Sequence, residues 1–351
     1  MTLRVALIGY GTGGSVFHAP LIAATPDLRL DAVVTADPGR ARAVRERYPD
    51  AAVLDSADRL WESTGRFDLV VVTAPNRHHV PLARTALTAG MAVVLDKPVA
   101  ASAADARSLA ALSAVRGLPV VPFHNRRYDG DFRTVRRLVA DGALGDVRRF
   151  ESRFERWRPE VRAGWKESAD PRDAGGILYD LGSHLIDQAV ALFGRPESVY
   201  AEIDARRPGA QAPDDVFVAL DHPGGERSHL WMSAVAADLG PRFRVLGGAA
   251  AYTVHGMDPQ EEALRAGGTP ADPGWGQVPP SRYGRLGTPD STRPEPTIPG
   301  AYQEFYAAVA RSLRGEEPPP VALADAITGL EIIEAAQTSA RTGDAVTPPT
   351  P

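Results

Sequence analysis

The sequence predicts an α/β chain in two parts: a parallel sheet wound with helices over residues 1–122, then an α+β domain over 123–351 built on a mostly antiparallel sheet. Three observations carry this expectation. Short runs apolar on both faces alternate with helical stretches from residue 3 to about 122. A glycine-rich turn directly follows the first run. Beyond residue 197, strand-like segments succeed one another with no helix between them.

In chain order, Leu3–Ile8 reads as a strand, as do Leu30–Val34, Leu69–Val72, Ala92–Leu95 and Val120–Phe123. Helices fit Ala19–Ala24, Ala41–Tyr48, Val80–Ala89 and Ala103–Val115, the last closed by Gly117 and Pro119. Residues 132–140 read as a helix, and Val147–Phe154 shows the period-2 alternation of a half-buried strand. A helix over 179–193 precedes strands near 197–206, 214–221, 227–235, 242–247 and 250–255. Residues 256–300, rich in Gly, Pro and charge, predict a long ordered loop with little regular structure. Helices over 301–313 and 322–341 follow, separated by Gly315 and prolines at 318–320, and are expected to pack back towards the first domain. The Pro-rich end, 347–351, is expected to fray. No internal repeat is present.

Composition narrows the function. With 351 residues, 44% hydrophobic and 24% charged, the chain has the make-up of a globular protein. A net charge of −5 provides no basic stripe for nucleic acid and no attraction to anionic membranes. The absence of cysteine excludes disulfides, thiolate catalysis and cysteine-ligated zinc or iron–sulfur sites. The N-terminus runs straight into a strand without a leader pattern, and no apolar stretch is long enough to span a bilayer, so a cytoplasmic address is expected.

Gly9-Tyr10-Gly11-Thr12-Gly13-Gly14 satisfies G-x-G-x-x-G between the first strand and a helix. There the first glycine permits the turn, the second lets the backbone approach a pyrophosphate, and the third allows the helix to lie close on the strand. Helix N–H groups then face the anion. This identifies the first part as a Rossmann dinucleotide-binding domain and nominates Gly9, Gly11, Thr12 and Gly14 as cofactor contacts. Asp37, just past the second strand, suits a bond to the adenosine ribose and repels a 2′-phosphate, which favours NAD. Arg40 and Arg42 leave NADP open, and Asp37-Pro38-Gly39 is equally good turn chemistry.

In the second half, Gly175–Asp187 is the richest segment. On a regular helix Asp180, His184 and Asp187 fall at i, i+4 and i+7 on one face, with Leu178, Leu181, Leu185, Ala189 and Leu192 as a core stripe. An imidazole between two carboxylates suits proton transfer. The same face would also arise as a solvated surface, or as part of a metal site, for which no third ligand is evident. Asp96-Lys97-Pro98 follows the fourth of these strands, where strand ends line the ligand crevice, so Lys97 is placed to stabilise charge on a substrate oxygen; a simple turn is the alternative.

Taken together, GYGTGG at 9–14, Ala74-Pro75-Asn76 with His79, Asp96-Lys97-Pro98, and Asp180 with His184 resemble the glucose-fructose oxidoreductase / inositol dehydrogenase / MocA family, in order and spacing, to about residue 340. Phe17-His18-Ala19-Pro20, His124-Asn125-Arg126-Arg127, Trp157-Arg158-Pro159-Glu160 and Tyr179–His184 resemble its scyllo-inositol dehydrogenase-like branch. The resemblance implies Lys97, Asp180 and His184 as a catalytic trio, and Pro75, Asn76, His79 and Asp96 with Lys97 as cofactor contacts. It further implies an open antiparallel C-terminal sheet carrying a homo-oligomer interface. Asp96 stands where the family usually has Glu. Ala36-Asp37 stands where NADP-using relatives tend to carry Ser-Arg.

The activity expected is interconversion of a secondary alcohol and a ketone by hydride transfer with NAD or NADP. His184 would take the proton, Lys97 would stabilise the alkoxide and Asp180 would orient the substrate. His18, His124, Asn125, Arg126, Tyr128, Trp157, Arg158 and Asp187 are candidates to line a pocket for a polyol, an inositol above all, or else a sugar or keto-sugar. Arg126, Arg127 and Arg158 could instead be inter-domain salt bridges, and Trp157 core packing. Readings from other classes are a non-catalytic dinucleotide sensor and a metal-dependent hydrolase.

Overall fold

The computed structural model describes residues 2–62 and 65–349. Six strands build the first sheet: β1 (Leu3–Ile8), β2 (Leu28–Val34), β3 (Ala52–Leu54), β4 (Leu69–Val72), β5 (Ala92–Leu95) and β6 (Val120–Pro122). All neighbours are parallel, in the order β3-β2-β1-β4-β5-β6. Helices α1 (Ala19–Ala23), α2 (Pro38–Arg47), α3 (Ala57–Trp61), α4 (His79–Thr88) and α5 (Ala103–Arg116) make the crossovers. Alternate residues explain the doubly apolar runs. Ala6, Ile8, Val70, Val72, Val93 and Leu95 enter one core, while Val5, Leu7, Leu69, Val71 and Val94 enter the other. The strand order reverses beside β1, and that reversal opens the ligand crevice of such sheets. β3 and α3 escaped the sequence reading because one is three half-buried residues and the other only five, too short for either to show a period.

The second half carries α6 (Gly130–Ala140), β7 (Val147–Glu155), α7 (Ser183–Phe193), β8 (Ser198–Asp204), β9 (Asp215–Asp221), β10 (Arg227–Ser233), β11 (Phe243–Gly247) and β12 (Ala251–Val254). Its eight-stranded sheet runs β14-β13-β12-β11-β7-β10-β9-β8, where β13 is Gly284–Thr288 and β14 is Ser291–Glu295. β7 and β10 pair in parallel and the other neighbours are antiparallel. The loop expected over 256–300 is corrected here. It holds α8 (Gln260–Arg265) and the β13–β14 hairpin, which extends the sheet. Four of the five β14 residues are exposed, so the hairpin owes its form to pairing and displays no apolar alternation.

Helices cover one face of this sheet. Phe150, Val199, Val218, Leu230, Phe243 and Val245 join Leu185, Ile186 and Ala189 of α7 in the core. On the opposite face, Phe217, His229 and Trp231 form a half-buried ladder, with ring centroids 5.2 to 5.9 Å apart. The last helices, α9 (Gln303–Leu313) and α10 (Leu323–Thr342), tie the halves together. Tyr302, just before α9, and Phe305, Tyr306 and Val309 within it pack under the first sheet, and α10 lies against α5, α7 and β8. Beyond α10 the chain does not fray at once. Val346 and Val199 exchange both backbone hydrogen bonds, at 2.8 and 2.9 Å, while 350 and 351 lie outside the described residues. Among the described residues no helix is long and apolar enough to cross a membrane.

Candidate active site

The glycine loop is shaped by what it excludes. Gly9 has φ +99°, and a Cβ on Gly14 would fall 2.1 Å from the Gly9 carbonyl oxygen, so neither position admits another residue without rearrangement. Thr73, at the end of β4, donates its hydroxyl to Gly9 O at 2.9 Å and holds the loop against the sheet. Above Gly11 the nearest atom to an added Cβ is Arg40 Nη1 at 4.0 Å, which leaves open the cradle a pyrophosphate would enter. Asp37 accepts a bond from Arg40 N at 2.8 Å and caps α2. A carboxylate and a guanidinium therefore share the end of β2 where an adenosine ribose would lie.

Strand-end loops are locked by buried imidazoles. His79 is 1% exposed and sits 2.8 Å from both Pro98 O and Ala74 O, joining the β4 and β5 loops. Asn76 donates to Asp173 O at 2.9 Å, and Arg77 pairs with Asp173, which ties this loop to the second domain. His18 is fully buried, bonded to Tyr306 Oη at 2.5 Å and packed against Phe123, with ring centroids 4.0 Å apart. Its Nε2 lies 3.8 Å from Asp96 Oδ2, so it supports the site from beneath instead of lining an open pocket. Burial works to raise the Asp96 pKa, but His18 and Lys97 outweigh it and hold the carboxyl at about 2.

Lys97 stands at the end of β5, where its ammonium donates to Asp180 O at 2.5 Å and to Asp180 Oδ1 at 3.1 Å. The same Oδ1 accepts from Lys166 Nζ at 2.7 Å. Burial would raise Asp180, yet Lys97, Lys166 and Arg156 keep it far below the ordinary carboxylate range. Burial lowers Lys97, with Asp180 opposing and Lys166 adding to the fall.

One geometric expectation fails. Leu178–Gly182 forms a wide π-type turn before α7, so Asp180 and His184 do not keep the regular i, i+4 relation. Neither Asp180 nor Asp187 hydrogen-bonds to His184. Asp187 is held bidentately by Arg127 at 2.7 and 2.8 Å and lies 3.6 Å from His124. Nor is this a solvated face: the side chains of Asp187 and His124 are 3% and 6% exposed, and His184 is buried. His184 Nδ1 is buried without a hydrogen-bond partner among the described residues. Burial first, then the charges of Lys97 and Arg126, push the His184 pKa well below its ordinary 6.5. It is therefore a neutral imidazole at physiological pH.

Several other pocket candidates are engaged elsewhere. Arg126 is buried and bonded to Glu261 at 2.6 Å and Asp129 at 3.3 Å; Arg127 joins Asp187 to Asp325. Both arginines form salt bridges, but with partners inside the second half of the chain, which corrects the inter-domain alternative. Asn125 is buried near them. Trp157 is 58% exposed and Arg158 is exposed just beyond β7, which corrects the core-packing alternative for Trp157. Sequence reasoning missed Lys166, Arg156 and Tyr306. A tyrosine on an amphipathic helix looks like core, and Arg156 is one arginine among many. Among the described residues no cluster of three His, Asp or Glu side chains is placed to hold a metal ion.

A parallel sheet in the order 3-2-1-4-5-6, whose strand ends meet basic, acidic and imidazole groups from a second domain, is the architecture of a nicotinamide-dependent oxidoreductase. Family models agree along most of the chain. "Oxidoreductase family, NAD-binding Rossmann fold" matches residues 3–124 and "Oxidoreductase family, C-terminal alpha/beta domain" matches 136–347. The chain belongs to the Gfo/Idh/MocA family of dehydrogenases acting on CH–OH groups. It is 35% identical to scyllo-inositol 2-dehydrogenase (NADP(+)) IolW of Bacillus subtilis (strain 168), over 97% of this chain and 94% of that one. Identity to the uncharacterized oxidoreductase YdgJ of Escherichia coli (strain K12) is 40%, over 97% and 96%. The solved structure of YvaA from Bacillus subtilis superposes with a TM-score of 0.92 at 33% identity, over 99% of each chain.

The depressed His184 pKa has a kinetic consequence. A base must be neutral to accept a proton, so if His184 serves as the base of alcohol oxidation, the acid limb of kcat/KM is expected below pH 6.5, the ordinary histidine value. A pH–rate profile with that limb at or above 6.5 would contradict the buried, cation-flanked imidazole described here.

Proposed function

We propose that this enzyme interconverts a secondary alcohol and a ketone on a polyol, with an inositol of the scyllo type as the leading substrate class. The observation that carries the reading is the convergence at the end of β5: Lys97 Nζ on Asp180 Oδ1 at 3.1 Å beside the neutral, buried His184. In oxidation His184 takes the hydroxyl proton. Lys97 has three N–H donors; two are spent on Asp180 and the third is free for the developing alkoxide. Asp180 Oδ1 is occupied by the two lysines, which leaves Oδ2 to accept a hydroxyl of the substrate. A nicotinamide held at the ends of these strands would supply the acceptor for the hydride leaving the alcohol carbon. The name of the Bacillus relative supports the inositol class, and a sugar or keto-sugar of the same hydroxyl-rich chemistry is the second choice. A non-catalytic sensor would bury this ion pair and imidazole at a cost with no return.

For the cofactor, Gly9, Gly11, Thr12 and Gly14 would hold the pyrophosphate, and Pro75 and Asp96 would lie towards the nicotinamide. Asp37 supports NAD, whereas Arg40 beside it is the group that would admit NADP. We further infer a homo-oligomer built on the open face of the second sheet, where Phe217, His229 and Trp231 form an aromatic ladder and Arg153 lies 3.9 Å over the Trp231 ring.

Purified protein assayed at 340 nm across inositols and aldoses should turn over a polyol, and Lys97→Ala and His184→Ala should each cost at least about a hundredfold in kcat. Full activity in either variant removes that residue from the chemistry. Asp37→Ser should shift preference towards NADP by about tenfold or more, and Arg40→Ala should shift it the other way. Unchanged NAD/NADP ratios would show that neither residue reads the ribose. Trp231→Arg should reduce the mass measured by light scattering to that of a smaller assembly. An unaltered mass places the interface elsewhere.

A further inference from the structure

Of the 39 lysine and arginine residues, two are lysines, Lys97 and Lys166, and the structure brings both to one oxygen of Asp180. Everywhere else the chain carries its positive side-chain charge as arginine. Arginine is a planar fork with a fixed charge, whereas lysine is a compact ammonium whose charge responds to its surroundings. Lys166 is also held in place by construction. Its carbonyl accepts from Gly176 N at 2.8 Å, and a Cβ on Gly175 would fall 2.3 Å from Ser168 O, so the glycine pair lets this loop lie directly against the start of the Asp180 turn. Glu167 next to it is anchored by Arg207 at 2.8 Å, and the Lys166 ammonium lies 5.6 Å from the Trp165 ring centre. Lys97 approaches Asp180 from the buried side, with its side chain 14% exposed; Lys166 approaches from the solvent side, 55% exposed.

We propose that Lys166 is a positioning residue for the reaction: it pins Asp180 Oδ1 from the mouth of the site, so that Oδ2 faces the substrate and Lys97 keeps an N–H free for the reacting oxygen. The inference rests on the catalytic reading of Lys97 and Asp180 given above. Two ammonium groups on one carboxylate also repel each other, so Lys166 makes Lys97 a readier proton donor. The other groups around Lys97 are Asp180, its neighbour Asp96, His184 on α7 and His124 after β6, with Arg156 acting on Asp180. Lys166 alone among them approaches from solvent on a separate loop, so its charge can be removed without touching the buried set.

Having two lysines makes the test direct. Protein labelled with carbon-13 at lysine Cε should give two side-chain signals, assigned with Lys97→Arg. In Lys166→Met the Lys97 signal should titrate about one pH unit higher than in the wild type, as expected on losing a like charge within about 6 Å. Lys166→Arg should hold it near the wild-type position. In parallel, Lys166→Met should lower kcat about tenfold, and the alkaline limb of its pH profile should move in the same direction as the Lys97 signal, with Lys166→Arg restoring most of the rate. An unchanged Lys97 titration in Lys166→Met overturns the proposal, whether activity is kept or lost. Full activity of Lys97→Ala and Asp180→Asn would instead sink the catalytic reading itself, so the two failures are distinguishable.

Discussion

The ion pair between Lys97 and Asp180 is the contact on which the rest of the site depends. One partner ends a strand of the first sheet and the other opens a helix of the second domain, so the pair exists only when the two halves are correctly seated. A buried carboxylate without its ammonium would cost several kcal/mol, and a buried ammonium without its carboxylate as much again. The same pair that the proposed chemistry uses therefore penalises any other arrangement of the domains. A second contact repeats the logic at smaller scale, since Arg77 of the first domain grips Asp173 of the second, while Arg127 joins Asp187 to Asp325 of α10 within the second half.

Around this pair the protein has distributed its charges unevenly. The carboxylates Asp96, Asp180 and Asp187 are each held ionised by cations despite burial, whereas the imidazoles of His79, His124 and His184 are each pushed towards neutrality. That division suits a reaction in which a proton is taken up and charge develops on oxygen. In the proposed reaction the acceptor, His184, is empty beforehand and the stabilising charges are already oriented, so little reorganisation would be needed as the alkoxide forms.

Much of the fold could be read from the chain because it rests on local requirements. The doubly apolar runs at Leu69–Val72 and Ala92–Leu95 are what a sheet covered on both faces demands, and the Gly9–Gly14 spacing is dictated by contacts no Cβ permits. What escaped was fixed by tertiary context. The wide turn at Leu178–Gly182 leaves no mark on a helical pattern, and it undid the neat face of Asp180, His184 and Asp187. The β13–β14 hairpin, mostly exposed and carrying Pro294, lacks the alternation that announces a strand. His18 was read as a pocket residue from its neighbours, yet its environment is set by Tyr306, nearly three hundred residues later in the chain. Lys166 lies in a polar stretch with no periodicity, and its meaning appears only once Asp180 is placed in space.

The second sheet also ends differently at its two rims. At one, β14 contains Pro294, which has no N–H to offer a further strand, flanked by Arg293 and Glu295. At the other, the tail beyond α10 returns so that Val346 occupies the backbone groups of Val199 on β8. An unprotected sheet edge invites strands from other molecules and, through them, fibrous growth. Here one rim is chemically blunted and the other is partly covered by the chain's own end. Trimming the last few residues would thus expose β8 as a template for stray strands while leaving the catalytic centre intact, and the cost would be paid in colloidal behaviour instead of turnover.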